Sequence, residues 1–228
     1  MHSYIAIQNT YHIFEIALII NNSIHDTIHE DKRHASKLFI PLLDQLLTRN
    51  NKTLESLSFC AVNCGPGPFS TLRSIIASAN GLNCATNIPL ISIDGLNALF
   101  IETYNPDYPY TIVLLNAFNN DIYYLIAHHN TIISKGYKKI DAFLDYIKQT
   151  YPTQLINFVG NGVLLHQDLI KSFLGLQAII AEPIIEFCSL NTVARLGLHA
   201  FETNNYTPGY LMPLHLKKHP VEELMEKL

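Results

Sequence analysis

The feature that most constrains this chain is an order of short segments that occurs twice. In the first half an apolar run from Tyr4 to Ile7 breaks at Gln8-Asn9-Thr10, and a second run from Ile13 to Ile20 follows. Asn21-Asn22-Ser23 reads as a turn, and Ile24 to Ile28 resumes. In the second half Tyr110 to Leu115 breaks at Asn116, Ile122 to Ala127 follows, His129-Asn130 turns, and Thr131 to Ile133 resumes. Short apolar runs bounded by Asn and Ser are strand and turn signals. Each triplet leads into a helical pattern, Ala35 to Leu47 and Asp141 to Tyr151. One more strand follows each helix, Ser58 to Val62 and Ile156 to Val159. Those strands end in glycine loops, Cys64-Gly65-Pro66-Gly67-Pro68 and Gly160-Asn161-Gly162, that open another helix. A βββαβα order that appears twice predicts two α/β lobes, 1–105 and 106–228, divided near Asn105 to Pro109. Each lobe should be a mixed sheet with helices packed against it.

Composition narrows the function. Of the 228 residues 48% are hydrophobic and only 15% are charged, against about a quarter in typical globular chains. So little polar covering points to surface hidden by a partner. Fifteen basic against 19 acidic residues give a net charge of −4, which argues against a direct grip on a polyanion. Isoleucine and asparagine richness reads as codon bias and carries no functional weight. Cys60, Cys64, Cys84 and Cys188 form no CxxC pair and no zinc spacing. No basic leader begins at Met1, and no window approaches 18 uninterrupted apolar residues. The expectation is a cytoplasmic protein with reduced thiols and no membrane span.

Two such lobes facing each other would make a cleft, with any nucleotide phosphates at the hairpin between the first two strands. A phosphate–Mg²⁺ site needs carboxylate oxygens. The first hairpin offers Gln8-Asn9-Thr10 and the second Asn116, with Asp121 nearby. Amides have the shape of the acids without their charge, so the expectation is no catalytic residue, no cofactor and no metal. The loop Gly65 to Ser70 resembles a phosphate loop only superficially. It lacks the Gly-Lys-Ser/Thr ending, and its prolines remove backbone donors. A stiff strand-to-helix turn capped by Ser70 or Thr71 accounts for it better. His25, His29 and His34 with Asp26, Glu30 and Asp31 could hold a metal if helical, but the stretch reads as strand and solvated loop. No nucleophile elbow occurs.

The helix opening at Ser70 carries a stripe of small residues, Ser74, Ala77, Ser78, Gly81 and Ala85, flanked by Ile75, Ile76, Ala79 and Leu82. Small residues let another backbone approach closely. Either the stripe packs on its own sheet or it forms a seam with another subunit. The preceding helix has a similar excess, with Leu38, Phe39, Ile40, Leu42, Leu43, Leu46 and Leu47 reaching most of the way round. Pro41 must sit early in that helix or kink it.

At these residues the sequence resembles the TsaB (YeaZ) family. Gly65-Pro66-Gly67-Pro68-Phe69-Ser70-Thr71-Leu72-Arg73, with Gly81-Leu82 in register, is similar to its Gly-Pro-Gly-Ser-Phe-Thr-Gly-x-Arg segment. His34 to Pro41 resembles its His-x-x-x-Leu-x-Pro helix, with the proline one residue later. Asn116-Ala117-Phe118, Asp121-Ile122-Tyr123, Val159-Gly160-Asn161-Gly162 and Pro208-Gly209-Tyr210-Leu211 resemble further landmarks. Departures are Gln8 and Asn116 for the family's aspartates, Phe118 for its arginine, Pro68 for serine and Thr71 for glycine. The resemblance implies an actin-like/Hsp70-like (ASKHA, ribonuclease H-like) fold. It further implies a non-catalytic partner in forming N6-threonylcarbamoyladenosine at position 37 of tRNAs reading codons that start with A. The implied partners are a TsaD-type catalytic subunit and a TsaE-type ATPase, with a homodimer in isolation and tRNA met only through the complex. The interface it implies involves His34, Leu38, Leu42, Phe69, Ser70, Arg73, Ser74, Ala77, Ser78, Gly81 and Ala85. The competing classes are an active actin-like phosphotransferase or hydrolase and a glycoprotease-like enzyme.

Overall fold

Strand β1 (Ser3–Asn9) pairs antiparallel with β2 (Ile13–Ile20), and β2 with β3 (Ser23–Asp31). The first turn closes on Thr10, whose hydroxyl accepts from the amides of His12 and Ile13 at 3.2 and 3.1 Å. The second turn is Asn21-Asn22, both left-handed at φ 54° and 63°. Such a two-residue turn matches the twist of paired strands, and asparagine tolerates it best after glycine. β3 runs beyond the apolar signal at Ile24–Ile28. It is an edge strand, so His25, Asp26, His29 and Glu30 need no core to face, and pairing with β2 holds them.

Helix α1 (Ala35–Arg49) follows, then β4 (Cys60–Asn63), α2 (Phe69–Thr86), β5 (Leu90–Ile93) and α3 (Gly95–Thr103). The sheet order is β3-β2-β1-β4-β5, with β4 parallel to both β1 and β5. One face of the sheet (Ile5, Ile7, Phe14, Ile16, Leu18) packs on Phe39, Leu43 and Leu46 of α1 and on Leu72, Ile75, Ile76 and Ala79 of α2. Truncating a fully buried ring such as Phe39 to alanine would cost roughly 3–5 kcal/mol. Pro41 lies inside α1 on its exposed side, where an unpaired backbone carbonyl can take water instead.

The second half repeats the pattern. β6 (Tyr110–Asn116), β7 (Asp121–His128) and β8 (Thr131–Lys139) precede α4 (Ile140–Thr150), β9 (Ile156–Val159), α5 (Asn161–Leu174) and β10 (Ala178–Ile179). Its sheet order is β10-β9-β6-β7-β8. Ile112, Leu114, Ile122 and Ile126 face Phe143, Leu144 and Ile147 of α4 and Val163 and Ile170 of α5. The duplicated βββαβα arrangement is therefore present as two five-stranded mixed sheets.

The last helix, α6 (Leu190–Glu202), packs on β1, β4 and β5 of the first sheet. Its Gly197 permits the approach, since a Cβ there would come within 2.4 Å of the Ala61 Cβ. Tyr4 stacks on Phe59 at 4.3 Å, and Phe59 on Phe201 of α6 at 4.6 Å. Two compact units result, Met1–Ala98 with Cys188–Pro213, and one built on Leu99–Phe187. Residues 2–206, 209–214 and 216 are described by this computed structural model. Pro208 and the tail from Lys217 to Leu228 lie outside them. Among the described residues no helix is long and apolar enough to cross a membrane.

Candidate functional site

At the first hairpin the side chain of Gln8 is buried, 2% exposed. Its Nε2 donates to the Cys188 carbonyl at 2.9 Å. Its Oε1 accepts from Asn63 Nδ2 at 2.9 Å and from the Cys188 thiol at 3.3 Å. Asn63 Oδ1 in turn accepts from the Gly65 amide at 3.0 Å. The carboxamide that stands in the acid's place is thus committed to protein partners at both ends. Its neighbour Asn9, on the opposite face of β1, is buried with neither Nδ2 nor Oδ1 partnered.

One acid escaped the sequence reading. The hairpin register sets Glu15 of β2 directly opposite Gln8, and His29 of β3 opposite Glu15. Burial raises the Glu15 carboxyl above its ordinary range, and the nearby His29 partly offsets this. The signal was available in principle, because a turn centred between Thr10 and Ile13 pairs residue 8 with 15. Apolar runs alone do not give register.

The second hairpin is closed in a related way. The Asn116 amide donates to Asn161 Oδ1 at 3.0 Å, and Asn116 Oδ1 accepts from the Phe118 amide at 2.8 Å. Phe118, Asn119 and Asn120 are all left-handed, at φ 64°, 55° and 62°. Asp121 is buried and accepts a hydrogen bond from the Tyr137 hydroxyl. At the start of α5 the Gly160 and Asn161 amides donate to the carbonyls of Ile185 and Glu186 at 2.9 and 3.1 Å. These helix-end amides, which would otherwise favour an anion, are occupied by the chain itself. His25 and His29 lie on β3, and among the described residues no group of three His, Cys, Asp or Glu side chains could hold a metal ion.

The loop after β4 turns at Gly65, φ 101°, where a Cβ would meet Leu72 at 2.7 Å. Helix α2 then begins at Phe69 with Pro68 at its N-cap and no side-chain cap. The expected cap by Ser70 or Thr71 is therefore corrected. Both residues lie inside the first turn, because Pro68 already supplies the extended backbone that precedes a helix.

Two faces of α2 separate cleanly. Leu72, Ile75, Ile76, Ala79 and Leu82 are buried. Arg73, Ala77, Gly81 and Ala85 are exposed, with Ser74 and Ser78 half-buried between the faces. A Cβ added at Gly81 would meet nothing within 4 Å. The Ser74 and Ser78 hydroxyls donate back to the Ser70 and Ser74 carbonyls, both at 3.0 Å, so covering them would strand neither hydroxyl donor. Arg73 lies over the exposed Phe69 ring, its guanidinium carbon 3.8 Å from the centroid. On α1, His34 is exposed at the N-cap, Leu38 and Leu42 are half-buried, and Ile40 is 49% exposed. These residues all fall on the α1–α2 side of the first unit.

Known proteins match this geometry. The sequence model of the family described as TsaD, tRNA N6-adenosine threonylcarbamoyltransferase, matches residues 19–206. The tRNA threonylcarbamoyladenosine biosynthesis protein TsaB of Buchnera aphidicola subsp. Baizongia pistaciae is 21% identical over 141 residues, 61% of this chain. The matched region spans 64% of that relative's length. YeaZ from Pseudomonas aeruginosa superposes with a TM-score of 0.69 at 15% identity, covering 91% of this chain and 96% of that one. The inorganic polyphosphate/ATP-glucomannokinase from Arthrobacter sp. strain KM reaches 0.52 at 9% identity, over 90% of this chain and all of that one. At such identities the structures speak for the fold, which is actin-like. The family model covers most of the chain, so the chain belongs to the tRNA N6-adenosine threonylcarbamoyltransferase family, in its TsaB (YeaZ) group.

Proposed function

We propose that this protein is a non-catalytic scaffold and activator in the formation of N6-threonylcarbamoyladenosine at position 37 of tRNAs reading codons that start with A. In this reading it pairs with a TsaD-type catalytic subunit through α1 and α2, a TsaE-type ATPase joins the pair, and tRNA is engaged through the assembly. The pairing residues are those named from the sequence, His34, Leu38 and Leu42 on α1 and Phe69, Ser70, Arg73, Ser74, Ala77, Ser78, Gly81 and Ala85 on α2.

The observation that carries the reading is the outward row Ala77–Gly81–Ala85, whose glycine has no neighbour among the described residues that requires it. Glycine in a helix interior costs roughly 1 kcal/mol relative to alanine. A helix pays that without return unless another backbone comes close. A partner of the same fold would bring an equivalent helix pair, which makes a near-twofold seam natural. Saturation of Gln8, Asn116 and the α5 amides by protein groups supports a role other than catalysis.

The test is reconstitution. Threonylcarbamoyl transfer to tRNA should require this protein when the other components are supplied. Full activity in its absence would remove the activator role.

A further inference from the structure

Beyond α6 the chain returns to α2, where one side chain takes hold of its backbone. Asn80 Nδ2 donates to the Leu211 carbonyl at 3.0 Å, and Asn80 Oδ1 accepts from the Leu211 amide at 2.8 Å. A carboxamide has one donor and one acceptor end, so it can meet both backbone groups of a single residue. The Leu211 side chain is 5% exposed and packs in the core that α1 and α2 share with the first sheet. Its neighbours are left in the open, Tyr210 at 70% and Met212 at 72% exposed. The place of the clip matters. Asn80 follows exposed Ala77 by three residues, precedes exposed Cys84 by four and follows buried Ile76 by four. Residues three and four apart are neighbours on a helix surface, so Asn80 stands at the border between the outward row and the core.

We infer that Tyr210 and Met212, clipped beside α2 by Asn80, form one wall of a groove whose floor is Ala77 and Gly81, and that its occupant is a helix of the TsaD-type subunit, an inference that rests on the α1–α2 pairing proposed above. Area argues for it. A stable pair buries roughly 800 Å² on each partner. Alanine and glycine permit close approach but offer little surface, whereas one tyrosine can bury roughly 150–250 Å². Tyrosine and methionine are also enriched where proteins meet, and the unbranched thioether adapts to irregular gaps. Holding the Leu211 backbone in advance lowers what must be ordered on binding.

Titration calorimetry of the full chain against the TsaD-type subunit of the same organism tests this, with Ala77→Arg measured alongside. Tyr210→Ala should weaken Kd roughly tenfold or more, as truncation of an aromatic anchor does, and Met212→Ala roughly three- to tenfold. Both side chains are mostly exposed, so each variant should keep the wild-type unfolding temperature. Asn80→Ala should weaken binding as well, and Tyr210→Ala should then cost less in that background than in the wild type, because the two act through one clip. Fully additive losses at Asn80 and Tyr210 would overturn the clip. If Ala77→Arg weakens binding while Tyr210→Ala and Met212→Ala leave Kd unchanged, the wall is refuted and the α2 seam stands. If Ala77→Arg is also silent, the pairing through α2 fails and the groove with it. An unchanged Kd accompanied by lost self-association of Tyr210→Ala in sedimentation would assign the segment to a second copy and overturn the inference.

Discussion

The helix following the glycine loop is built differently in the two units. In the second unit Gly160 and Gly162 are consumed internally. A Cβ at Gly160 would fall 2.2 Å from the Leu114 carbonyl oxygen, and one at Gly162 would fall 2.9 Å from the same atom. Those glycines let α5 start directly against β6. In the first unit Gly65, before α2, is crowded instead by the Leu72 side chain of α2 itself, while Gly81 in mid-helix has no described neighbour within 4 Å of where its side chain would begin. The exposed side of α5 carries the charges Asp168 and Lys171. The exposed row of α2 carries one charge, Arg73, and otherwise Ala77, Gly81 and Ala85. A glycine that its own fold explains says nothing about partners. One that its own fold leaves unexplained points outward.

That contrast can be broken most forcefully at Gly162. Gly162→Ala must push against the Leu114 backbone, so the chain should lose about 3 kcal/mol of stability, the upper range of overpacking. Thermal unfolding of the purified protein reads this. Gly81→Ala should do the reverse and raise stability by roughly 0.8–1 kcal/mol, since alanine restores helix propensity at no steric cost. If both substitutions destabilised alike, Gly81 would have an internal role and the contrast would collapse.

A smaller effect sharpens the comparison at the first hairpin. Glu15 is held above its ordinary value of 4.5 by burial, less the influence of His29. A carboxyl whose folded pKa is raised favours the protonated folded state, so its contribution becomes unfavourable as pH rises through that folded value. Glu15→Gln should therefore raise the unfolding temperature at neutral pH, and the gain should fade as pH falls through the raised folded value and be gone once pH is below about 4.5. A gain independent of pH would mean that the charge of Glu15 is not what burial penalises.

Much of this architecture was legible in the sequence. The bounds Ile13–Ile20 and Ile156–Val159 follow directly from the apolar runs, because both strands are buried. β8 was legible only at its start. Past Ile133 it runs through Ser134-Lys135-Gly136 as an edge strand, where polar residues carry no burial signal and only the β7 ladder reveals the strand. The return of α6 to the first sheet was not legible either, since its apolar spacing fits any sheet face. Its destination rests on long-range contacts, among them those of Gly197, Phe201 and Cys188. At the candidate interface, the stripe itself was visible from residue size and spacing. Its direction was not, because Ala and Gly suit a tight internal contact as well as an external one.

Direction is also what a binding experiment reads most directly. Ala77 is exposed at the centre of the α2 row, so Ala77→Arg should leave the isolated chain folded, with an unfolding temperature close to that of the wild type. Titration calorimetry against the TsaD-type catalytic subunit of the same organism should then show Kd weakened roughly five- to a hundredfold, the equivalent of 1–3 kcal/mol of overpacking at a close seam. A folded Ala77→Arg chain that binds that subunit with unchanged Kd would place the contact elsewhere and contradict the account.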